Sequence, residues 1–400
     1  MTTWEHPAAL AGPAISWDRA ERILVVRPDN LGDVVLLGPA LRALRAAAPR
    51  ARLDLLAAPA GAAAAALLPE VDDVLVASVC WQQLDPYALP VAADQALIQR
   101  LAEPGYQIAV MFTSFSQSPW PAATLCRLAG VPVRVGMSKE FGGAALTHWV
   151  PSPADELHQV DRSLHLVERV GVHPAGRRLH VQLADDARAA AHHLRQQRGL
   201  PAGDFALVLP GASCSSRRYD PQRLASTVGL LGAAGLPVLV AGTAREASLV
   251  EQVAAGSPAA VALAGELDVP GLAATIASSV VVICNNSGGA HLAEAVGTPS
   301  VVLFAGTELP AQYAPRFAPS VVLTVPTGCT PCRRLTCPLP PPGTMACLDV
   351  APDEVAARAL ELISSARGRR VGGGPPHRHL TDGRRGGRSA AAGPWPGSGR

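Results

Sequence analysis

The chain predicts an α/β protein with two parallel-sheet domains facing a central cleft. Three observations lead there. Short β-branched apolar runs alternate with helical patterns along most of the 400 residues. Those runs lack apolar/polar alternation, so they read as strands buried on both faces. The pattern halts at a Gly/Pro-rich joint, 171–176, and then restarts, which makes two Rossmann-like units in tandem.

The first unit opens with the strand Ile23–Val26. Pro28, Asn30 and Gly32 then form a turn. A helix is expected from Asp33, with Leu37, Leu41, Leu44 and Ala48 at helical spacing and Pro49 ending it. Asp33 therefore stands where a strand's C-terminal end meets a helix start, where open α/β sheets bind ligands. The plainer reading is a helix cap worth about 1 kcal/mol. Strands at Leu53–Ala57, Val74–Ala77, Ile108–Phe112 and Val133–Gly136 follow, with helices at Ala93–Leu101, Trp120–Leu128 and Leu157–Val170. His148, His158 and His165 read as ordinary surface or interface histidines, with an acceptor-side role the weaker alternative for His158 and His165, seven apart on one face of the last helix.

The second unit predicts strands at Phe205–Leu209, Leu236–Ala241, Val280–Ile283 and Ser300–Phe304. Its helices are Pro221–Ala234, Ala244–Ala254, Val269–Ser278 and Ala290–Val296. The expected organisation is a flexible leader (1–20), a first domain (21–175), a second domain (176–366) and a disordered Arg/Gly-rich tail (367–400).

Composition narrows the function. Hydrophobic residues make up 48% of the chain and aromatics only 4%, which suits α/β layers better than a base-stacking platform. The net charge is +2, but 367–400 holds eight Arg and one Asp, so the rest carries −5. That acidic body argues against nucleic acid as a partner. The first 20 residues lack a signal-peptide apolar core, and no run approaches the roughly 18 apolar residues of a membrane span. The expectation is a cytoplasmic protein, with peripheral contact at a membrane's inner face left open. Its eight Cys then read as thiols or metal ligands sooner than as disulfides.

Two further segments carry chemistry. In Asn286-Ser287-Gly288-Gly289-Ala290-His291 a strand runs through a Gly pair into a helix, whose free N–H groups and positive dipole end suit a diphosphate. An ordinary βα turn capped by Asn286 or Ser287 is the alternative. In Pro210–Pro221, hydroxyls including Ser213 precede Arg217 and Arg218, which could grip phosphate oxygens or simply face solvent. Glu246, after the next strand, could accept from ribose hydroxyls. Cys329, Cys332, Cys337 and Cys347 lie within 19 residues, close enough for a structural metal, with plain thiols or a disulfide as the alternatives.

Taken together, Arg27-Pro-Asp-x-Leu-Gly-Asp33, Pro210–Pro221 and Ser287-Gly-x-x-His-Leu-Ala-x-Ala295 resemble glycosyltransferase family 9, the ADP-heptose:lipopolysaccharide heptosyltransferase-like family, over about 22–365. The resemblance implies GT-B architecture, with the acceptor on the first domain and a nucleoside-diphosphate sugar on the second. It implies inverting transfer without a metal or other cofactor, to a glycan or glycolipid hydroxyl. By position it makes Asp33 the general base, Gly32 its turn glycine and Arg217 the diphosphate's cation. Ser213, Ser287, Gly288 and His291, with Asn286 at the position of a donor-contacting Asp, become donor ligands, whereas Glu246 is a donor candidate from its strand-end position alone and could equally be an ordinary helix-start Glu. The chain departs from the family pattern at Asn286 (usually Asp), Tyr219 (usually Trp) and Gln107 (often an acid). These leave a sugar-nucleotide binder without efficient transfer, or a transferase acting on a small natural product, as the alternatives. A dinucleotide-dependent dehydrogenase would need Gly-x-Gly-x-x-Gly in the first turn, which holds one Gly.

Overall fold

Every side chain from Ile23 to Val26 and from Ala206 to Leu209 is buried. Only strands central to a sheet, covered by helices on both faces, are buried in this way. The computed structural model describes residues 12–85, 87–201, 204–340 and 344–371. Its first half runs through β1 (Arg22–Val26), α1 (Leu31–Val35), α2 (Gly38–Ala47), β2 (Arg52–Ala57), α3 (Pro59–Ala62), β3 (Asp73–Val76), α4 (Val91–Ala102), β4 (Ile108–Met111), α5 (Trp120–Leu128), β5 (Val133–Ser138), β6 (His148–Pro151) and α6 (Gln159–Glu168). The second half has α7 (Asp185–Gln197), β7 (Ala206–Leu209), α8 (Pro221–Ala233), β8 (Val238–Gly242), α9 (Ala247–Ala254), β9 (Ala260–Ala264), α10 (Val269–Ser278), β10 (Val281–Asn285), α11 (Gly288–Val296), β11 (Ser300–Leu303), α12 (Pro310–Tyr313), β12 (Ser320–Leu323) and α13 (Pro352–Val371).

The strands form two six-stranded parallel sheets, ordered β3-β2-β1-β4-β5-β6 and β12-β11-β10-β7-β8-β9. In each, the first strand has neighbours reached in opposite directions: β2 and β4 flank β1, β8 and β10 flank β7. Strand order therefore reverses at β1/β4 and at β7/β10. Such reversals open a crevice at the strands' C-terminal ends. One apolar cluster contains Val34 and Leu37 from the first half and Leu292 and Ala293 from the second. Polar ties reinforce the junction: the Gln312 amide donates to the Asp155 carbonyl at 2.7 Å, and Arg316 pairs with Asp161 at 2.6 Å.

Several expectations need correction. The helix expected from Asp33 to Ala48 is two helices broken at Leu36–Leu37. Pro39 has no N–H to continue the ladder and instead suits the first turn of α2. Residues 12–20 are not a loose leader: Trp17 is buried and its indole donates to the Val170 carbonyl at 3.0 Å. The tail does not begin at 367, because α13 continues to Val371 and Arg367 pairs with Asp204 at 2.5 Å. The rest of the expected leader (1–11) and tail (372–400) lies outside the described residues. Segment 178–182 lies on the first half, with the Gln182 N–H donating to the Leu67 carbonyl at 2.9 Å.

Candidate active site

The two sheet reversals meet around a cleft of about 460 Å³, within the usual range for small-molecule sites. Four strand-end loops supply most of its lining. Asp29 to Asp33 come from β1–α1, Ser114 to Gln117 from β4–α5, Ser213 and Arg217 from β7–α8, and Asn286 to Gly288 from β10–α11. Of the residues singled out in the sequence, Gly32, Asp33, Ser213, Arg217, Asn286, Ser287, Gly288 and His291 all line it.

Glycine lets the halves approach. A Cβ on Gly32 would lie 2.8 Å from His291 Cδ2, and one on Gly288 would lie 2.6 Å from Leu31 Cδ2. The N-terminal ends of α1 and α11 thus face each other across the cleft, and both present the positive end of a helix dipole. Ser287 is the N-cap of α11 but makes no side-chain cap hydrogen bond. Its hydroxyl and the helix-start N–H groups remain for a ligand.

Asp33 does not cap its helix. The N-cap is Asn30, and Asp33 Oδ1 accepts from Arg27 Nη2 at 2.8 Å. Arg27 is fully buried. Its Nη2 also donates to Ser114 Oγ at 2.9 Å, and its Nε lies 3.2 Å from Asp29 Oδ2. Burial disfavours this guanidinium's charge, but Asp29 and Asp33 more than offset that and its pKa rises. Arg27 aims the Asp33 carboxylate, whose side chain is 20% exposed, into the cleft. Asp29 is different. Its side chain is only 8% exposed, and its Oδ1 accepts from Gln82 Nε2 at 3.0 Å and Gln117 Nε2 at 2.6 Å. Burial raises its pKa against the lowering pull of Arg27.

On the opposite wall, Arg217 donates through Nε to Thr307 Oγ1 at 3.1 Å and through Nη2 to Glu308 at 2.5 Å. Burial raises the Glu308 pKa, Arg217 opposes that rise, and Asp33 across the cleft adds to it. His291 is buried. Burial, helped by Arg217, lowers its pKa to about 4, so its ring is neutral at pH 7. Among the described residues its Nδ1 is buried without a partner, as is Asn286 Nδ2; Asn286 Oδ1 accepts from the Ala305 N–H at 3.1 Å. Buried polar atoms normally have partners, so two unpaired ones on a cleft wall suit a polar ligand. Tyr313 stands behind His291, with its hydroxyl 3.4 Å from Ser114 Oγ.

Glu246 is not among the cleft-lining residues. Its carboxylate accepts from the Thr243 N–H and Oγ1 at 2.9 and 2.8 Å, closing a capping box. The four clustered Cys surround one small cavity with Gly306 and Met345. All four are free thiols, and among the described residues no group of three or more His, Cys, Asp or Glu is placed to hold a metal ion. The structural metal weighed from their spacing is therefore not supported. His158 lies at the junction, not on an acceptor wall: its Nε2 meets the Ala314 carbonyl at 3.2 Å. Two departures from the family pattern serve structure. Tyr219 is buried with its hydroxyl donating to the Val350 carbonyl at 2.6 Å, and Gln107 accepts from the Glu21 N–H at 2.6 Å.

Sequence reasoning gave no role to Glu308, Tyr313, Phe115 or Arg333, all of which line the cleft. Glu308 follows the buried strand β11, and that strand-end position could have flagged it. Phe115 and Arg333 stand in loops without a local signal.

Two facing parallel-sheet domains with a ligand cleft between their reversal points make the GT-B architecture. The chain belongs to glycosyltransferase family 9 (heptosyltransferase), whose family model matches residues 95–342. It is 22% identical to lipopolysaccharide heptosyltransferase 1 of Escherichia coli (strain K12) over 296 residues, 72% of this chain and 88% of that protein. It is 25% identical to lipopolysaccharide heptosyltransferase 3 of the same strain over 223 residues, 53% of this chain; the match spans only 62% of that relative's length. The solved ADP-heptose lps heptosyltransferase II of E. coli shares the fold with a TM-score of 0.67 at 21% identity, over 86% of this chain and 99% of that one. Among the described residues no helix is long and apolar enough to cross a membrane.

Proposed function

We propose that the chain transfers a heptose from ADP-heptose to a hydroxyl of a lipopolysaccharide-core or other surface-glycan acceptor, with inversion and without a metal. The observation that carries this reading is the Asp33 carboxylate on one domain, facing the Ser287–Gly288 helix start of the other across a single cleft. The relatives' names supply the sugar and the nucleotide.

Each wall has a role. The acceptor lies against Ser114–Gln117 and Asp33, and Asp33 takes the hydroxyl proton as the new bond to the anomeric carbon forms. A positioned general base of this kind is worth roughly 10²–10⁴ in rate. The bond from that carbon to the nucleoside diphosphate breaks on the opposite face, which inverts the centre. The start of α11, Arg217 and the unpaired Asn286 amide meet the charge that collects on the leaving phosphate. His291, being neutral, adds a hydrogen bond without competing charge.

The test is nucleoside-diphosphate release from ADP-heptose, with UDP- and GDP-sugars in parallel, with and without a glycan acceptor extract. Release from ADP-heptose that requires acceptor is the expected result. Tight donor binding with no acceptor-dependent release would favour the binder without transfer.

A further inference from the structure

The cleft holds three acids, Asp29, Asp33 and Glu308. Arg27 lies between the first two, and Arg217 is paired with the third. Three carboxylates against two guanidiniums already leave this set one negative charge in excess, and a nucleoside diphosphate brings two or more further negative charges into it. The positive charge still to hand comes from the Cys-rich loop. Arg333 lines the cleft and appears in none of the ion pairs among the described residues, while its guanidinium lies 4.4 Å from the Phe115 ring centroid. Phe115 belongs to the acceptor domain, so this contact spans the cleft.

The loop is built to hold Arg333 there. The Cys332 N–H donates to the Gly306 carbonyl at 2.9 Å and the Arg333 N–H to the Thr307 carbonyl at 3.1 Å. The Ser216 N–H and Ser215 hydroxyl both donate to the Leu335 carbonyl at 3.2 Å, and Ser216 Oγ donates to the Arg334 carbonyl. The Arg333 backbone sits at φ +55°, a conformation a side-chain-bearing residue rarely adopts unless its surroundings impose it. The loop is thus tied both to the segment carrying Arg217 and to the segment carrying Glu308. A planar guanidinium resting on an aromatic face keeps its N–H edge free to grip two phosphate oxygens at once.

We propose that Arg333 is a ligand of the donor's diphosphate, with Phe115 of the opposite domain as its platform. This rests on the nucleoside-diphosphate-sugar reading above. Arg217, tied to Glu308, then acts as the phosphate's second cation, and the Cys-rich loop is a wall of the donor site. Because Arg333 touches both the donor and the acceptor domain, it favours the closed cleft when the diphosphate is in place.

Calorimetry on the full chain with ADP, AMP and adenosine tests it, with UDP and GDP as further probes. Arg333→Ala is expected to weaken ADP at least tenfold, AMP less, and adenosine hardly at all, with an unchanged melting temperature. Arg333→Lys, which keeps charge but loses the fork, should fall between. Phe115→Leu should weaken ADP severalfold in the same order of probes. Equal ADP binding by wild type and Arg333→Ala overturns the assignment, as does a loss equally large for adenosine, which would mark a structural defect. A wild-type chain that binds none of the three diphosphates sinks the donor reading itself, and this assignment with it.

Discussion

Asp29 has its Oδ1 bonded to two Gln amides and its Oδ2 facing Arg27, whereas Asp33 has Oδ1 on Arg27 and a 20% exposed side chain. A base must reach the proton it takes, so access favours Asp33. The two substitutions should then separate. Asp33→Asn keeps an acceptor for Arg27 but removes one of its two counter-charges, so it should cost about 1–3 kcal/mol of stability, while acceptor-dependent release falls by roughly 10²–10⁴. Asp29→Asn disturbs a buried ion pair and should cost about 3 kcal/mol, the scale for breaking such a pair. Denaturation and rate measurements on both variants check this. Full transfer activity in Asp33→Asn, with loss in Asp29→Asn at unchanged stability, would move the base to Asp29. The place of Asp33 in the cleft was legible in the sequence, because strand, turn glycine and helix start mark a binding position. Arg27 as its orienting partner was not, since Arg at a strand end says nothing about burial.

The turn between β1 and α1 is short because α1 must bring its first residues against α11. Gly32 permits that approach, and a Cβ there would press on the buried His291 ring. Gly32→Ala should therefore lower stability by about 1–3 kcal/mol, the range for overpacking. On the proposed donor reading it should also weaken ADP, because His291 has to shift within the cleft wall. Unaltered melting and ADP affinity in that variant would show that the helices need not be this close. Elements with strong periodicity were readable: Trp120–Leu128 and Val269–Ser278 form as the pattern predicts. The missed ones carried weak signals. α7 buries only Ala187 and Ala191, against Ala274, so it shows no broad apolar stripe. β9 is an Ala-rich edge strand with mostly half-buried residues, lacking the β-branched run that marks a central one. The cleft wall built by Arg333 to Leu335 could not be read at all, because its position depends on hydrogen bonds to residues 118 to 121 places away.

The two halves stay joined partly through His158, which ends a first-half loop and touches the second half. Its Nδ1 accepts from the Val160 N–H at 3.2 Å, capping α6, so Nε2 carries the proton donated to the Ala314 carbonyl. Burial, with Arg316 and then His291 adding repulsion, lowers its pKa to about 4, while Asp161 pulls the other way. An unfolded His titrates near 6.5. Between about pH 6.5 and 4 the unfolded chain therefore binds the extra proton and the folded one does not. The stability that neutral His158 contributes is complete above that window and is lost as pH falls through it. From pH 7 to 5 that loss is about 2 kcal/mol. Asp29, Glu294 and Glu308, whose carboxyls burial pushes up, act in the opposite sense, so the wild-type curve alone does not isolate the histidine. His158→Asn does, because Asn caps a helix well and does not titrate. Urea unfolding at pH 7 and pH 5 should show wild type losing about 2 kcal/mol more than His158→Asn over that interval. Equal pH dependence in the two chains would mean that the His158 ring accepts its proton without leaving the junction between the domains.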